Sequence, residues 1–377
     1  MEKLRGVNLG NWLVLEKWME PALFEGTGAE DEVTLARKLP PEELKALLKA
    51  HRDSCVTEDD FRHLAALGLN AVRLPVPCTL FGDRPPVPGC VEYVDRAFDW
   101  AEQHGLCVLL DLHTVPGSQN GYDNGGIIGV CKWRRSPADV EFALTVLERL
   151  AKRYGRRKGL YGIEVLNEPV GPLTWLTSPG RGKAADREEA KGSGPVPMRF
   201  LRAFYAEAYA RLRRHLPEEK VIVFHDGFRL SRWSRFFEER AMVNVRLDAH
   251  AYIFPIEVLP PLSRPWLYRL YLGLWRRWIA RAQRTVPVII GEWSLGCRYP
   301  NAGKPDARTR RERFNAVARL QLDAWRETDG WFFWSLRLHR DAEGPVDAPW
   351  KEGWDLLRCE KNGWLPPEML AGEEKAP

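Results

Sequence analysis

The chain has 377 residues, enough for one large domain with insertions or for two smaller ones. Lys plus Arg is 56 against 51 for Asp plus Glu, a near balance that does not argue for a nucleic-acid partner. No run is long and apolar enough to cross a membrane, and the 16 tryptophans offer flat faces that stack on sugar rings as readily as they fill cores.

Cys55, Cys78, Cys90, Cys107, Cys131, Cys297 and Cys359 are scattered, an odd number with no paired framework. No C-x-x-C or H-E-x-x-H spacing signals a metal site. Free, mostly buried thiols in a reducing compartment are expected. Strand-like sequence begins by Leu4, which leaves no room for a secretory leader if Met1 is the native start. The expectation is then a cytoplasmic protein.

Residues 4–9 (LRGVNL) read as the first strand, followed by an acidic, Gly-containing loop through Asp31. Residues 41–49 and 57–67 are helical; Thr57 with Asp60 resembles a capping box, and Gly68 closes the second helix. Residues 70–74 (NAVRL) make the second strand and carry Arg73. A helix over 91–104 stops at Gly105, and a strand over 106–112 ends at His113. A Gly-rich loop spans 114–131, then a helix spans 139–154. Residues 161–169 (YGIEVLNEP) are apolar at Ile163, Val165 and Leu166 and end in Asn167 and Glu168. Pro169 pushes Glu168 toward extended backbone at a strand's carboxyl end. Residues 171–197, rich in Gly, Pro and charge, read as a mobile loop or a lid.

A helix over 198–216 precedes a strand over 220–224, which runs into His225 and Asp226. Residues 243–247 lead into DAHAY, with His250 and Tyr252. After a proline-rich connection over 259–265, residues 266–284 are strongly helical. Residues 288–290 are a strand, with Glu292 just past its end. A helix over 308–328 and a strand over 330–334, ending at Trp334, complete the series. The pattern weakens from 341 onward. Residues 1–370 read as one catalytic domain and 371–377 as a disordered tail.

About eight short apolar strands alternating with helices indicate the α/β class: a closed parallel (β/α)8 TIM barrel with enlarged βα loops. A doubly wound open sheet is the alternative, but no G-x-G-x-x-G follows the first strand. In a barrel the strand carboxyl ends share one face. Glu168 and Glu292 at the ends of two separate strands suit a glycosidase, one as acid/base and one as nucleophile, roughly 5 Å apart for retention. Arg73, His113, Asn167, His225, His250, Tyr252 and Trp334 recur at the same ends. Any one of them alone is a hydrogen-bonded structural residue; their joint recurrence on one face is harder to explain that way.

The motifs GVNLGNWLVLEKW, NAVRLPV, DLHTVPGSQNGYDNGG, IEVLNEP, FHDGF, DAHAYIF, GEWSLG and GWFFWSL together resemble glycoside hydrolase family five. Within it they are most similar to the exo-β-(1,3)-glucanase and β-glucosidase group, over about residues 5–354. The resemblance implies Glu168 as acid/base, Glu292 as nucleophile and Asn167 on the sugar 2-hydroxyl. It implies that Arg73 and Tyr252 orient an ionised Glu292 and that His250 lies near Glu168. His113, Asn124 and Glu16 would contact the first sugar, with Trp334 as its floor and Tyr122 as an aromatic of the acceptor-side clamp. It further implies a cis peptide at Trp334-Ser335, no cofactor, and a carbohydrate or glycoside substrate. Physically, Arg73 favours the charged form of Glu292, whose charge would keep Glu168 protonated.

Two features depart from that group. Leu336-Arg337-Leu338-His339 replaces a Trp-Lys-Thr-Glu-like run, and Phe254-Pro255 puts the second clamp aromatic out of register. Exo-hydrolysis of β-glucosides or short β-(1,3)-glucans is the leading expectation. A transglycosylase, or a diglycosidase acting on aryl or lipid glycosides, would use Trp133, Trp175 and Phe254 on its acceptor side. A non-catalytic carbohydrate-binding barrel is the alternative from another class. Residues 266–284 carry an apolar stripe (Leu267, Leu270, Tyr271, Leu274, Trp278) with Arg269, Arg276 and Arg281 elsewhere. That suits either a helix lying on a membrane or, as the preferred reading, a barrel helix with aromatics lining the cleft. Glycone, linkage and oligomeric state stay open.

Overall fold

Strands rich in Val, Ile and Leu, buried on both faces, are what a parallel sheet covered by helices requires. The computed structural model describes residues 2–233, 235–257, 263–338, 346 and 348–370. It forms eight such strands: β1 (Leu4–Asn8), β2 (Ala71–Val76), β3 (Cys107–Leu112), β4 (Leu160–Glu164), β5 (Val221–His225), β6 (Val245–His250), β7 (Val288–Trp293) and β8 (Gly330–Phe333). Each pairs in parallel with the next and β8 pairs with β1, closing the barrel. The expected tail over 371–377, His339 and most of the proline-rich connection lie outside the described residues.

Helices Pro41–Cys55, Glu58–Ala66, Val91–Gln103, Pro137–Tyr154, Met198–Arg213, Pro265–Ala282 and Ala307–Ala324 surround the strands, and the large core lies between the two layers. The Thr57–Asp60 capping box is present. The helix begun by Ser136, whose side chain accepts from Asp139 N, starts earlier than the periodicity suggests because Pro137 fits its first turn. The first long helix runs on to Cys55, since His51, Arg52 and Cys55 continue its buried face. Helix Glu32–Lys38, begun by a reciprocal Asp31–Thr34 cap, directly follows the acidic loop in a stretch for which the sequence indicates no element.

The 171–197 segment carries local structure and is tied to neighbouring loops. It contains short helices Pro172–Leu176 and Arg187–Ala190. Glu189 pairs with Arg37, Cys131 N donates to Ser193 Oγ, and Gly194 N donates to Cys131 O. Helix Pro265–Ala282 buries Tyr268, Leu272, Ile279 and Ala282. The apolar stripe read from the sequence is therefore not the buried face: Leu270, Leu274 and Trp278 face solvent, and Leu267 and Tyr271 are half-buried. Both arcs of this helix are apolar, so periodicity alone cannot choose which one packs.

Candidate active site

Strand side chains alternate in and out, so residues two apart climb one interior wall of the barrel. At the bottom Leu4, Ala71, Leu109, Val221, Val223, Ile289 and Phe332 form an apolar floor. One step higher the same walls carry Asn8, Arg73, Asp111, Glu164 and Asp248, all fully buried. Arg73 organises this layer. Its Nη1 donates to Glu292 Oε1 (3.1 Å) and Asn8 Oδ1 (3.0 Å), its Nε to Glu164 Oε2 (2.8 Å), and its Nη2 to Asn167 Oδ1 (2.9 Å). Asp111 Oδ2 lies 3.1 Å from Nη2. Glu292 sits within β7, not past it. Its second oxygen accepts from the Tyr252 hydroxyl at 2.6 Å.

Glu168 lies four residues beyond the end of β4, with φ of 44°. That is the left-handed region, not the extended backbone that Pro169 suggests, and a non-glycine residue held there stores strain. Its Oε2 accepts from Asn124 Nδ2 (3.0 Å) and its Oε1 lies 2.8 Å from His250 Nδ1. Asn124 thus contacts the acid/base candidate directly. The same His250 nitrogen is 3.3 Å from Glu292 Oε2. Two carboxyl oxygens so placed on one nitrogen are at most about 6 Å apart. His250 Nε2 is 3.4 Å from Asp248 Oδ2, and Gly291 N donates to Asp248 Oδ1 at 2.6 Å. A Cβ on Gly291 would meet Asp248 Oδ2 at 1.9 Å, so glycine permits this approach.

Burial opposes a charged imidazole, but the Glu292 and Asp248 charges and the bonds to Asp248 and Glu168 outweigh it. His250 is held well above its ordinary range. Burial would raise Glu168, yet the bond and charge of His250 bring it below 4.5. Burial and the Glu168 charge raise Glu292, against the pull of His250 and Arg73. Both shifts favour the proton on His250, one hydrogen bond from Glu168, over the proton on Glu168 itself. Sequence reasoning sets only the Glu292 charge against ionisation of Glu168; the imidazole between the two glutamates acts the other way.

Around this centre the residues expected to contact the first sugar converge. Trp334 stacks on His113 with ring centroids 5.7 Å apart and an interplanar angle of 14°. The Trp334-Ser335 peptide is cis. His113 Nδ1 lies 2.5 Å from Asp111 Oδ2, and its Nε2 lies 3.3 Å from Asn167 Nδ2. Gln119 Nε2 donates to the carbonyls of both His113 and Asn167 at 2.8 Å, pinning the pair. Glu16 is buried, and its Oε2 accepts from Trp18 Nε1 at 2.8 Å. Its Oε1 has no partner among the described residues. Burial and the nearby Asp123 raise its pKa well above 4.5. A buried acceptor without a donor is costly, and a sugar hydroxyl would satisfy it.

Glu168, His225 and His250, and likewise Glu164, Asp248 and His250, are close enough to suggest metal ligation. The donor set does not suit it. His250 is common to both groups, and its two ring nitrogens already face three carboxylates, Nδ1 toward Glu168 and Glu292 and Nε2 toward Asp248. His225 Nδ1 accepts from Gly227 N at 2.9 Å, and its ring packs edge-on against His250 at 4.3 Å.

The model of a family described as Cellulase (glycosyl hydrolase family 5) matches residues 41–226. A probable glucan 1,3-beta-glucosidase A of Emericella nidulans is 33% identical, across 99% of this chain and 92% of that protein. Its counterpart in Aspergillus terreus is 33% identical, across 97% and 88%. The chain belongs to glycoside hydrolase family 5. Among solved structures, a rutinosidase from Aspergillus niger shares the fold with a TM-score of 0.75 at 20% identity, covering 97% of this chain and 98% of that one.

The acceptor side of this glycoside hydrolase differs from the sequence expectation. Trp133 is fully buried against Phe200 and Phe204, so it does not face the cleft. Trp175 is half-buried and packs over Gly121. Tyr122 is half-buried, with the Glu168 charge acting on its hydroxyl. Phe254 is exposed, 5.5 Å from the Tyr252 ring. The ring missed in sequence is Trp354, 4.8 Å from Tyr252 and 5.7 Å from Phe254. Asp111, Glu164, Asp248, Gln119, Asp123 and Trp18 were missed too. Strand parity marks the first three: each is an acid on the inward face of a strand, two to four residues before a site residue.

Proposed function

We propose that this glycoside hydrolase releases glucose from the ends of short β-(1,3)-glucans and from aryl β-glucosides, with retention of configuration. One observation carries the reading: a single nitrogen of His250 lies within 3.3 Å of both glutamates. Retaining enzymes hold their carboxyls about 5–5.5 Å apart, and inverting ones about 6.5–9.5 Å. The glucose unit and the 1,3-linkage rest on the named fungal relatives.

In this reading Glu292, oriented by Arg73 and Tyr252, attacks the anomeric carbon. Glu168 takes the proton from His250 and passes it to the leaving oxygen. The developing oxocarbenium charge is met by Glu292, and Asn167 bonds the 2-hydroxyl. Forming the glycosyl-enzyme removes the Glu292 charge. Glu168 then takes a proton from water and returns it to His250, while the water oxygen attacks the anomeric carbon and breaks its bond to Glu292, which releases the sugar. The orphan Glu16 oxygen, beside Trp18 and Asp123, supports a closed end for the pocket and hence exo action.

A second reading, transfer to an aryl or other hydrophobic acceptor or release of a disaccharide, is favoured by Tyr252, Phe254 and Trp354 clustering at the mouth. Proton NMR of hydrolysis separates the two. β-Glucose appearing first from an aryl β-glucoside or laminaribiose supports the proposal. α-Glucose appearing first refutes Glu292 as nucleophile. No release from either, with turnover of an aryl disaccharide glycoside, would replace the first reading by the second.

A further inference from the structure

We propose that helix Pro265–Ala282 docks the enzyme on an anionic lipid surface. Trp266, Leu270, Leu274 and Trp278 recur at every fourth position along it and are 60%, 61%, 44% and 46% exposed. The opposite arc is already spent on the barrel through Tyr268, Leu272 and Ile279. The outward strip is thus an apolar face with no internal use. Between Glu257 and Glu292 the sequence has six arginines and no acid. Arg276 reaches Asp323 at 3.4 Å. Arg269, Arg277, Arg281 and Arg284 make no ion pair among the described residues.

Charge selects the occupant. A second copy apposed across a two-fold axis would set arginines against arginines. An anionic bilayer satisfies both parts of the face. Leu and Trp enter the headgroup boundary, and arginines reach the phosphates on flexible stems. No helix of the described residues is long and apolar enough to cross a membrane, so this one would lie in the interfacial plane.

Its position adds a consequence. In a (β/α)8 barrel a helix begins at the carboxyl face of the preceding strand, so Trp266 and Leu270 sit near the mouth of the site. Tyr271 donates its hydroxyl proton to Tyr252 O at 3.0 Å, and Tyr252 holds Glu292. Phe254 and, in the short helix Pro172–Leu176, Leu173 and Leu176 follow strands β6 and β4 toward the same face and are also exposed. Docking would set the cleft beside the lipid, where a glycoside with an apolar aglycone would be presented.

The test is co-sedimentation with extruded phosphatidylglycerol/phosphatidylcholine vesicles against pure phosphatidylcholine, at low and high salt. The variants are Leu270→Glu/Leu274→Glu and Arg277→Glu/Arg281→Glu. Their melting temperature and hydrolysis of a soluble aryl β-glucoside report folding. The expected result is binding to anionic vesicles on the order of 10²-fold tighter than to neutral ones, reduced by salt and at least about 10-fold weaker in either variant. Three results would overturn the proposal: no binding of the wild type to anionic vesicles, binding unchanged in both variants, or a wild-type dimer that Leu270→Glu/Leu274→Glu dissociates. Loss of glucoside hydrolysis in the wild type as well would count against the proposed activity, not against docking.

Discussion

Ala71 and Arg73 lie two residues apart on one wall of β2, and Leu109 and Asp111 repeat the step on β3. Ile289 and Gly291 do so on β7. The lower residue of each pair belongs to the apolar floor of the barrel, and the upper one to the charged layer or its immediate support. The floor gains from area removed from water. The upper layer gains nothing comparable, because charges without solvent cost free energy unless every one is paired. It is tolerated because Arg73 is shared among Asp111, Glu164 and Glu292. The difference teaches where damage should register: in the floor as lost stability, in the upper layer as lost chemistry.

The largest expected effect comes from Glu292→Gln. It keeps the shape but removes the nucleophile, and turnover of an aryl β-glucoside should fall at least about 10⁴-fold. Near wild-type hydrolysis would end the mechanism and revive the reading as a binding barrel. Glu168→Ala should lose about 10²–10⁴-fold on poor leaving groups and much less on a dinitrophenyl glucoside. Added azide should restore turnover with a β-configured product. Equal losses on both leaving groups would deny Glu168 its role as acid.

Asp248→Asn tests the supporting layer. It removes one of the anions that raise His250. The proton shared with Glu168 is then lost at lower pH, so the alkaline limb of kcat/KM should move down. The acid limb, set by Glu292, should stay above the ordinary 4.5. Activity at neutral pH should fall roughly 10-fold. An unshifted alkaline limb would make Asp248 purely structural. Gly291→Ala should displace the same carboxylate by steric contact. It should cost about 1–3 kcal/mol in thermal unfolding and give the same alkaline shift.

Ile289→Val, one step below on the same strand wall, is the smallest change. It should cost about 0.5–1.5 kcal/mol and leave kcat and the pH profile as they were. A changed pH profile would mean that the two layers are not separable.

The barrel was legible because alternation of short apolar strands with amphipathic helices is a local pattern. The two glutamates were legible because they stand at strand ends inside strongly patterned motifs. Trp354 was not, because it follows a stretch without periodicity and reaches the mouth only through tertiary folding. Trp133 misled for the converse reason: a tryptophan near a cleft in sequence is a core residue once Phe200 and Phe204 pack on it. The sequence by itself determined the eight-stranded alternation, the positions of Glu168 and Glu292 and the family. Only the tertiary structure decided which arc of helix Pro265–Ala282 is buried, that Glu168 stands in left-handed backbone, and that the His250 ring lies between the two glutamates. Those outcomes depend on what approaches from other strands and helices: a second carboxylate, a buried guanidinium, a competing apolar surface. Contact energies of that kind are set by distance in space, which neighbours in sequence do not report.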